Sequence, residues 1–144
     1  MLVKQILSSK SDNTVITIAP SATISEAAAL LAARRIGSVV VSEDGETALG
    51  MLSERDIVRE LGNRGPACMS DSVSQMMTAD PVTCQINDSV EKIMQTMTDR
   101  RFRHLPVVQD GRMVGIVTIG DAVKARLSEL SMEKSALEGM IMGH

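Results

Sequence analysis

Phe102-Arg103-His104-Leu105-Pro106-Val107-Val108, followed beyond Gln109-Asp110-Gly111-Arg112 by Gly115-Ile116-Val117-Thr118-Ile119-Gly120-Asp121, is the stretch whose reading decides the fold. It reads as two apolar strands joined by a turn, with a helix starting straight after the second. That second strand delivers a hydroxyl, Thr118, and three residues later a carboxylate, Asp121, to the helix's first turn. Arg103 and His104 open the first strand. A candidate anion site therefore lies beside a hydroxyl-binding carboxylate, and the stretch carries no nucleophile motif.

Sliding the sequence against itself reveals a second copy of this design. Ile24 aligns with Val90, Ile36 with Phe102, Val41 with Val107 and Gly45 with Gly111, all at an offset of 66 residues. One residue is then dropped, and Gly50-Met51-Leu52-Ser53-Glu54-Arg55-Asp56 aligns with Gly115 to Asp121 at an offset of 65. Val3-Lys4-Gln5-Ile6-Leu7 also echoes Val73-Ser74-Gln75-Met76-Met77. Two copies are too few for a solenoid; they imply two half-domains that bury apolar faces against each other.

The 144 residues suffice for one compact domain or two small halves, and 44% hydrophobic content fills a core. With one Phe and no Trp or Tyr, packing falls to Val, Ile and eleven Met. A formal net charge of −3 argues against unspecific polyanion binding, and scarce aromatics remove base-stacking platforms. Nucleic acid is thus not an expected partner. Cys68 and Cys84 stand in no metal-ligand spacing, so reduced thiols and no metal site are expected. No signal peptide or membrane-length apolar run is present. Those absences lead to the expectation of a cytoplasmic protein with no membrane partner.

In chain order, Val3, Ile6 and Leu7 have helical spacing and Thr14 to Ile18 reads as a strand. Thr23 to Glu26 is a capping box ahead of the Ala-rich helix Ala27 to Ala33, which ends near Arg34-Arg35. Strands are expected at Gly37 to Val41 and Ala48 to Leu52, then a helix at Glu54 to Leu61. Gly62-Asn63-Arg64-Gly65-Pro66 is the clearest break and reads as the linker. It sets repeat boundaries at 1–65, with the N-terminal helix, and 66–144, with an extended C-terminal helix. In the second repeat a short helix covers Val73 to Met77 and a strand Pro81 to Cys84. The helix Val90 to Arg100 precedes the paired strands Arg103 to Val108 and Met113 to Val117. The last helix runs from near Ile119 to about Met142. Its apolar side, Val123, Leu127, Leu130, Leu137, Met140 and Ile141, continues beyond what one repeat needs.

The order strand–helix–strand–strand–helix, twice, with Gly-x-x-Ser/Thr-x-x-Asp closing each copy, resembles the tandem CBS domain, named after cystathionine β-synthase. Ile36 to Val41 and Phe102 to Val108 look like the family's second strand. Ser53 to Val58 and Thr118 to Val123 look like its last strand-to-helix turn. The resemblance spans about Val3 to Leu127 and points to short bacterial proteins made of one CBS pair. It implies an α/β (α+β) fold in which two β-α-β-β-α repeats form a pseudo-two-fold module with two clefts. It also implies adenosine ligands (AMP, ADP, ATP, NAD(H) or S-adenosylmethionine) and a homodimer of pairs.

Carried over residue by residue, Asp56 and Ser53 serve one cleft and Asp121 and Thr118 the other. The Asp would hold ribose hydroxyls; an ionised carboxylate accepts two such bonds, and charge-assisted bonds are strong. Arg103 and His104 are phosphate candidates, and Arg103 adds a permanently charged fork. Free amides at the helix start also attract phosphate. Ile16, Thr17, Val39, Val82, Thr83 and Pro106 are the expected adenine pocket. At the positions of Arg103 and His104 the first copy has Gly37 and Ser38, with Arg55 in its closing motif as compensation where the second copy has Gly120. The first copy thus lacks strand-borne phosphate cations, and both clefts are expected to be usable but unequal, with Asp121 the stronger candidate.

Duller readings stand beside these. Ser-x-x-Asp and Thr-x-x-Asp are capping patterns, and from the pattern alone capping is preferred, though capping and binding are compatible. Arg100 and Arg101 read as a solvated helix end, Met94, Met97 and Cys84 as core. An acid–base pair of His104 and Asp121 lacks a nucleophile and a metal, so no enzyme and no catalytic cofactor is expected. The expected function is a non-catalytic, regulatory adenine-nucleotide sensor with a signal-transduction role, acting on a separate protein partner or through its own oligomer. The alternative is a scaffold working by protein–protein contact with unoccupied clefts.

Overall fold

In the computed structural model, which describes residues 1–142, the duplication appears as a backbone exchange between the halves. The elements are α1 (Val3–Ser9), β1 (Thr17–Ile18), α2 (Ile24–Arg34), β2 (Ser38–Val41), β3 (Gly50–Ser53) and α3 (Glu54–Arg64). A 3-10 turn (Pro66–Ser70) leads into α4 (Val73–Met76) and β4 (Thr78–Ala79), followed by α5 (Val90–Arg100), β5 (His104–Gln109), β6 (Arg112–Thr118) and α6 (Ile119–Ile141). One sheet has the order β1-β2-β3-β4, parallel between β1 and β2 and antiparallel after; the other is the hairpin β5-β6.

Three hydrogen bonds tie α4 and its approach to the first half: Ile24 N to the Asp71 carbonyl, Val73 N to Ala22, Ser74 N to Pro20. Their counterparts tie the N-terminus to the second half: Val90 N to Met1, Val3 N to Asp88, Lys4 N to Ile86. Each pair is related by the same shift, 66 residues on the body side (Ile24 to Val90) and 70 on the helix side (Val3 to Val73). Each short helix closes the core of the other copy. Val3, Ile6 and Leu7 pack with Val90, Ile93, Leu105, Val107 and Val117; Val73 packs with Ile24, Leu31, Val39, Val41 and Leu52.

Close packing at this exchange requires two glycines. A Cβ on Gly50 would stand 2.6 Å from Met77 Sδ and 2.7 Å from the Thr78 carbonyl. On Gly115, the aligned position, it would stand 2.7 Å from Leu7 Cδ2.

Several sequence expectations are corrected. The first strand is two residues, not Thr14 to Ile18. Pro81 to Cys84 forms no ladder; only Cys84 bridges Val107, in parallel. Pro81 has no N–H to donate, and the short strand forms earlier, where Thr78 and Ala79 pair with Met51 and Gly50. Helix α3 continues through Gly62, Asn63 and Arg64, which had read as linker, and stops at Gly65 with φ 76°. Arg64 there bonds both Glu60 and Asp71 at 2.6 Å, fastening the helix end to the chain beyond it.

Helices α2 and α5 start on Thr23 and Ser89, whose side chains accept hydrogen bonds from Glu26 N and Lys92 N. Both end on an arginine in the left-handed region, Arg35 (φ 54°) and Arg101 (φ 57°). Those residues turn the chain sharply into β2 and β5.

Candidate functional site

Both closing motifs are true helix caps. Ser53 Oγ accepts from Asp56 N at 3.2 Å, while Asp56 Oδ2 accepts from Ser53 N and Oγ, both at 2.9 Å. Thr118 Oγ1 accepts from Asp121 N at 3.1 Å and Asp121 Oδ2 from Thr118 N at 3.0 Å. In each copy the cap uses Oδ2, so capping and binding through Oδ1 are geometrically compatible.

A cavity of about 350 Å³ opens beside the first cap, a size within the range of about 300–1,000 Å³ usual for small-molecule sites. The first half contributes Gly37, Ser38, Met51, Ser53, Glu54, Arg55, Asp56 and Arg59, and the stretch between the halves Thr78. The second half contributes Arg101, Phe102, Arg103 and His104. Four guanidinium groups thus face two carboxylates, leaving an excess of positive charge around Asp56. Burial and the neighbouring Arg103 push the His104 pKa down, against the opposing pull of Asp121. At neutral pH the ring is therefore an uncharged hydrogen-bonding group. Ser38 Oγ is buried on this cavity without a hydrogen-bond partner in the protein. Buried hydroxyls are normally paired, which marks Ser38 as a candidate ligand contact.

The cavity draws its candidates from both copies. Ser53, Arg55 and Asp56 line it together with Arg103 and His104, so the first motif does have strand-borne phosphate candidates, supplied by the other half. The expectation that it lacks them assumed each copy furnishes its own site; the start of β5 instead lies across from the β3–α3 turn. Thr118 and Asp121 lie apart, at the β6–α6 turn, where the Lys10 ammonium meets Asp121 Oδ2 at 2.7 Å. Burial alone would raise the Asp121 pKa; the bonds from Lys10 and Thr118 outweigh it and hold the carboxyl below its ordinary value. Gly120 is exposed on the first turn of α6 and does not line the cavity.

None of the six expected adenine-pocket residues lines this cavity. Val39 belongs to the first core, and Ile16 and Val82 pack against the first and second cores. Thr83 is exposed, Pro106 is buried within β5, and Thr17 pairs with Val40. The error at Val39 is one of strand parity: Val40 stands opposite Met51, and Met51 faces the cavity.

Eight of the thirteen cavity residues were not anticipated as contacts, Gly37, Ser38, Met51 and Glu54 among them. Arg59 follows Asp56 by one helical turn, a spacing visible in the sequence. Phe102, the one aromatic, was quoted within the motif but given no role. Arg101 had read as a solvated helix end; its left-handed conformation brings it back to the cavity. Thr78 lies between the copies and gave no signal. Cys84 is core as expected, its thiol pushed up to about 12 by burial. Among the described residues, no helix is long and apolar enough to cross a membrane and no cluster of three His, Cys, Asp or Glu forms a metal site.

With this geometry in hand, comparisons with known proteins agree on the architecture. A family model described as the CBS domain matches residues 3–63 and again residues 73–128. The chain is 34% identical over 125 residues to the mitochondrial CBS domain-containing protein CBSX3 of Arabidopsis thaliana, covering 84% of this chain but 61% of that protein. It thus spans under two thirds of that relative's length. The crystal structure of the CBS-domain containing protein ATU1752 from Agrobacterium tumefaciens is similar at a TM-score of 0.82 and 43% identity, covering 88% of this chain and 99% of that one. Two similar solved structures hold adenosine compounds. The CBS pair of MJ0100, in complex with 5′-methylthioadenosine and S-adenosylmethionine, has a TM-score of 0.75 at 25% identity, covering 90% and 98% of the chains. CBSX2 in complex with AMP has a TM-score of 0.68 at 28% identity, covering 80% and 89%.

Proposed function

The chain belongs to the CBS-domain family, and from that premise we propose that it is a non-catalytic regulatory module binding an adenosine-type ligand, such as AMP, ATP or NAD(H), between its halves. One observation carries the proposal: a single cavity joins the capped carboxylate Asp56 of one half to Arg103 of the other. Asp56 Oδ1 accepts a ribose hydroxyl. Arg103, with Arg55 and Arg101, takes the phosphate, and Phe102 and Met51 offer apolar surface to the base. The unpaired Ser38 hydroxyl gains a partner.

A ligand so placed touches both halves and favours the conformation in which they are closed around it. That differential affinity is the source of a regulatory signal. The signal reaches a second copy or another protein through surface such as α6, where Leu127, Leu137, Met140 and Ile141 are 59–84% exposed. A homodimer covering that face fits the proposal.

Isothermal titration calorimetry of ligand-stripped protein with AMP, ATP, NAD, NADH and S-adenosylmethionine, and GMP as control, tests the reading. Saturable binding of an adenosine compound that weakens in Arg103→Ala supports it. No heat from any of them, with the protein folded by circular dichroism, overturns it and leaves a scaffold with empty clefts.

A further inference from the structure

Helix α6 is longer than the body that carries it. Its first turns pack into the second core through Ala122 and Ala125, but from Leu130 to Glu138 every residue is exposed. The free part is about three turns long. Helical segments of that length are marginal in water, and Gly139 weakens this one further. Among the described residues a single ion pair supports it, Lys134 to Glu138 at 3.9 Å, an exposed contact of small worth.

Along the helix, Val123, Leu127, Leu130, Leu137 and Ile141 are 41–84% exposed. Together with Lys134 they recur at strictly alternating steps of four and three residues, the spacing of a coiled-coil seam. Lys134 fills the one polar place in that seam. Lys124, Ser131 and Glu138 flank it on one side, and Arg126, Glu133 and Met140 on the other. Arg126 is held within its own chain by Glu91 and Glu129.

These charges discriminate between ways of covering the seam. A second α6 running parallel would set Lys134 against Lys134 and Glu133 against Glu138, like charges in both places. A second α6 running antiparallel does the reverse. Lys124 then meets Glu138 of the second copy, and the two-fold axis repeats that pair. Lys134 stacks on Leu130, and the two Glu133 at the axis are bracketed by the two Lys134. A lone charged residue in an apolar seam is a device that fixes register. We infer that the free face of α6 is covered by a second copy of this chain, with the two helices paired antiparallel in this register. This pairing gives the homodimer proposed above its interface. It stands apart from the adenosine reading: failure of every nucleotide in calorimetry leaves it intact.

Sedimentation equilibrium of the full chain without nucleotide is the test, followed by interference optics because the chain has no Trp or Tyr. Lys124 and Glu138 are exposed, so Lys124→Glu and Glu138→Lys leave the core undisturbed, which circular dichroism checks. The expected result is a reversible dimer that each variant alone weakens about tenfold, the scale of two exposed ion pairs turned into repulsions. An equimolar mixture of the two variants regains wild-type affinity, because each offers the other the opposite charge. Leu137→Glu, in the seam itself, leaves only monomer. A wild-type chain that stays monomeric across micromolar concentrations overturns the inference. So does a dimer indifferent to both charge variants, whose interface then lies elsewhere. Weakening that the mixture does not rescue contradicts the antiparallel register.

Discussion

In the first half, Asp56 looks into a cavity that the second half completes with Arg103; in the second half its counterpart, Asp121, is already engaged by Lys10. Around both, the backbone repeats closely: the same caps, the same left-handed arginine at the end of the preceding helix, the same three exchanged hydrogen bonds. The difference resides in side chains on connecting segments, at Lys10 against Asp80 and at Arg103 against Gly37. The two halves thus repeat what folding needs and differ in side chains that, on the proposed reading, meet a ligand.

The comparison can be broken hardest at its glycines. Gly50→Ala meets a backbone carbonyl as well as Met77, whereas Gly115→Ala meets the flexible end of Leu7. Overpacking of this kind costs about 1–3 kcal/mol, and Gly50→Ala should lie at the upper end and Gly115→Ala at the lower. Urea denaturation followed by circular dichroism reads the difference; equal losses contradict the account of the exchanged helices.

Next comes the ion pair. Asp121→Asn leaves Lys10 part-buried without its counter-charge and should cost about 1–2 kcal/mol, discounted from the buried-pair range because both groups reach solvent. Asp56→Asn leaves only an exposed Arg59 and should cost less than about 1 kcal/mol. The Asp121 carboxyl titrates below its ordinary value in the folded state, so its contribution is present above that ordinary value and is lost as pH falls through the folded one. Acid unfolding of Lys10→Met should therefore lose less stability over that window than wild type. An acid limb identical in the two proteins would show that Lys10 does not hold Asp121.

The smallest effect is at His104. Its pKa is depressed in the folded protein, by burial first and then Arg103, so it stabilises fully above the ordinary value of 6.5 and progressively less as pH falls below it. A phosphate beside the ring raises its pKa, so the complex binds more protons than free protein. AMP affinity should accordingly rise a few-fold between pH 7.5 and pH 6, and His104→Ala should flatten that slope. Proton uptake measured in buffers of different ionisation enthalpy gives the sign; proton release would place the phosphate elsewhere.

Much of the fold could be read in the sequence, because helix caps and the in-register duplication are local patterns. Thr23, Ser53, Ser89 and Thr118 each start the expected helix. The exchange of α1 and α4 was visible only as an echo, since spacing identifies an apolar helix face but not the core that receives it. Pro81 to Cys84 had strand composition, yet the neighbouring Thr78 and Ala79 took the sheet edge. Of the candidate site, the motif residues Ser53, Asp56 and Arg103 were legible and their meeting in one cavity was not. Val39 could have been avoided: the offset of 66 pairs Pro106 with Val40 and Leu105 with Val39, so the two chosen residues lie on opposite faces. Lys10 could not have been found, because only the folded chain brings it to Asp121.

On the proposed reading the first cleft, through Asp56, is the primary adenosine site. Calorimetric titration of AMP into wild-type, Asp56→Ala and Asp121→Ala proteins tests it most directly. The account predicts that Asp56→Ala weakens the strongest binding at least about tenfold, the loss of a charge-assisted hydrogen bond, and that Asp121→Ala leaves that binding in place. AMP binding that survives Asp56→Ala unchanged in folded protein, or that disappears in Asp121→Ala instead, contradicts it.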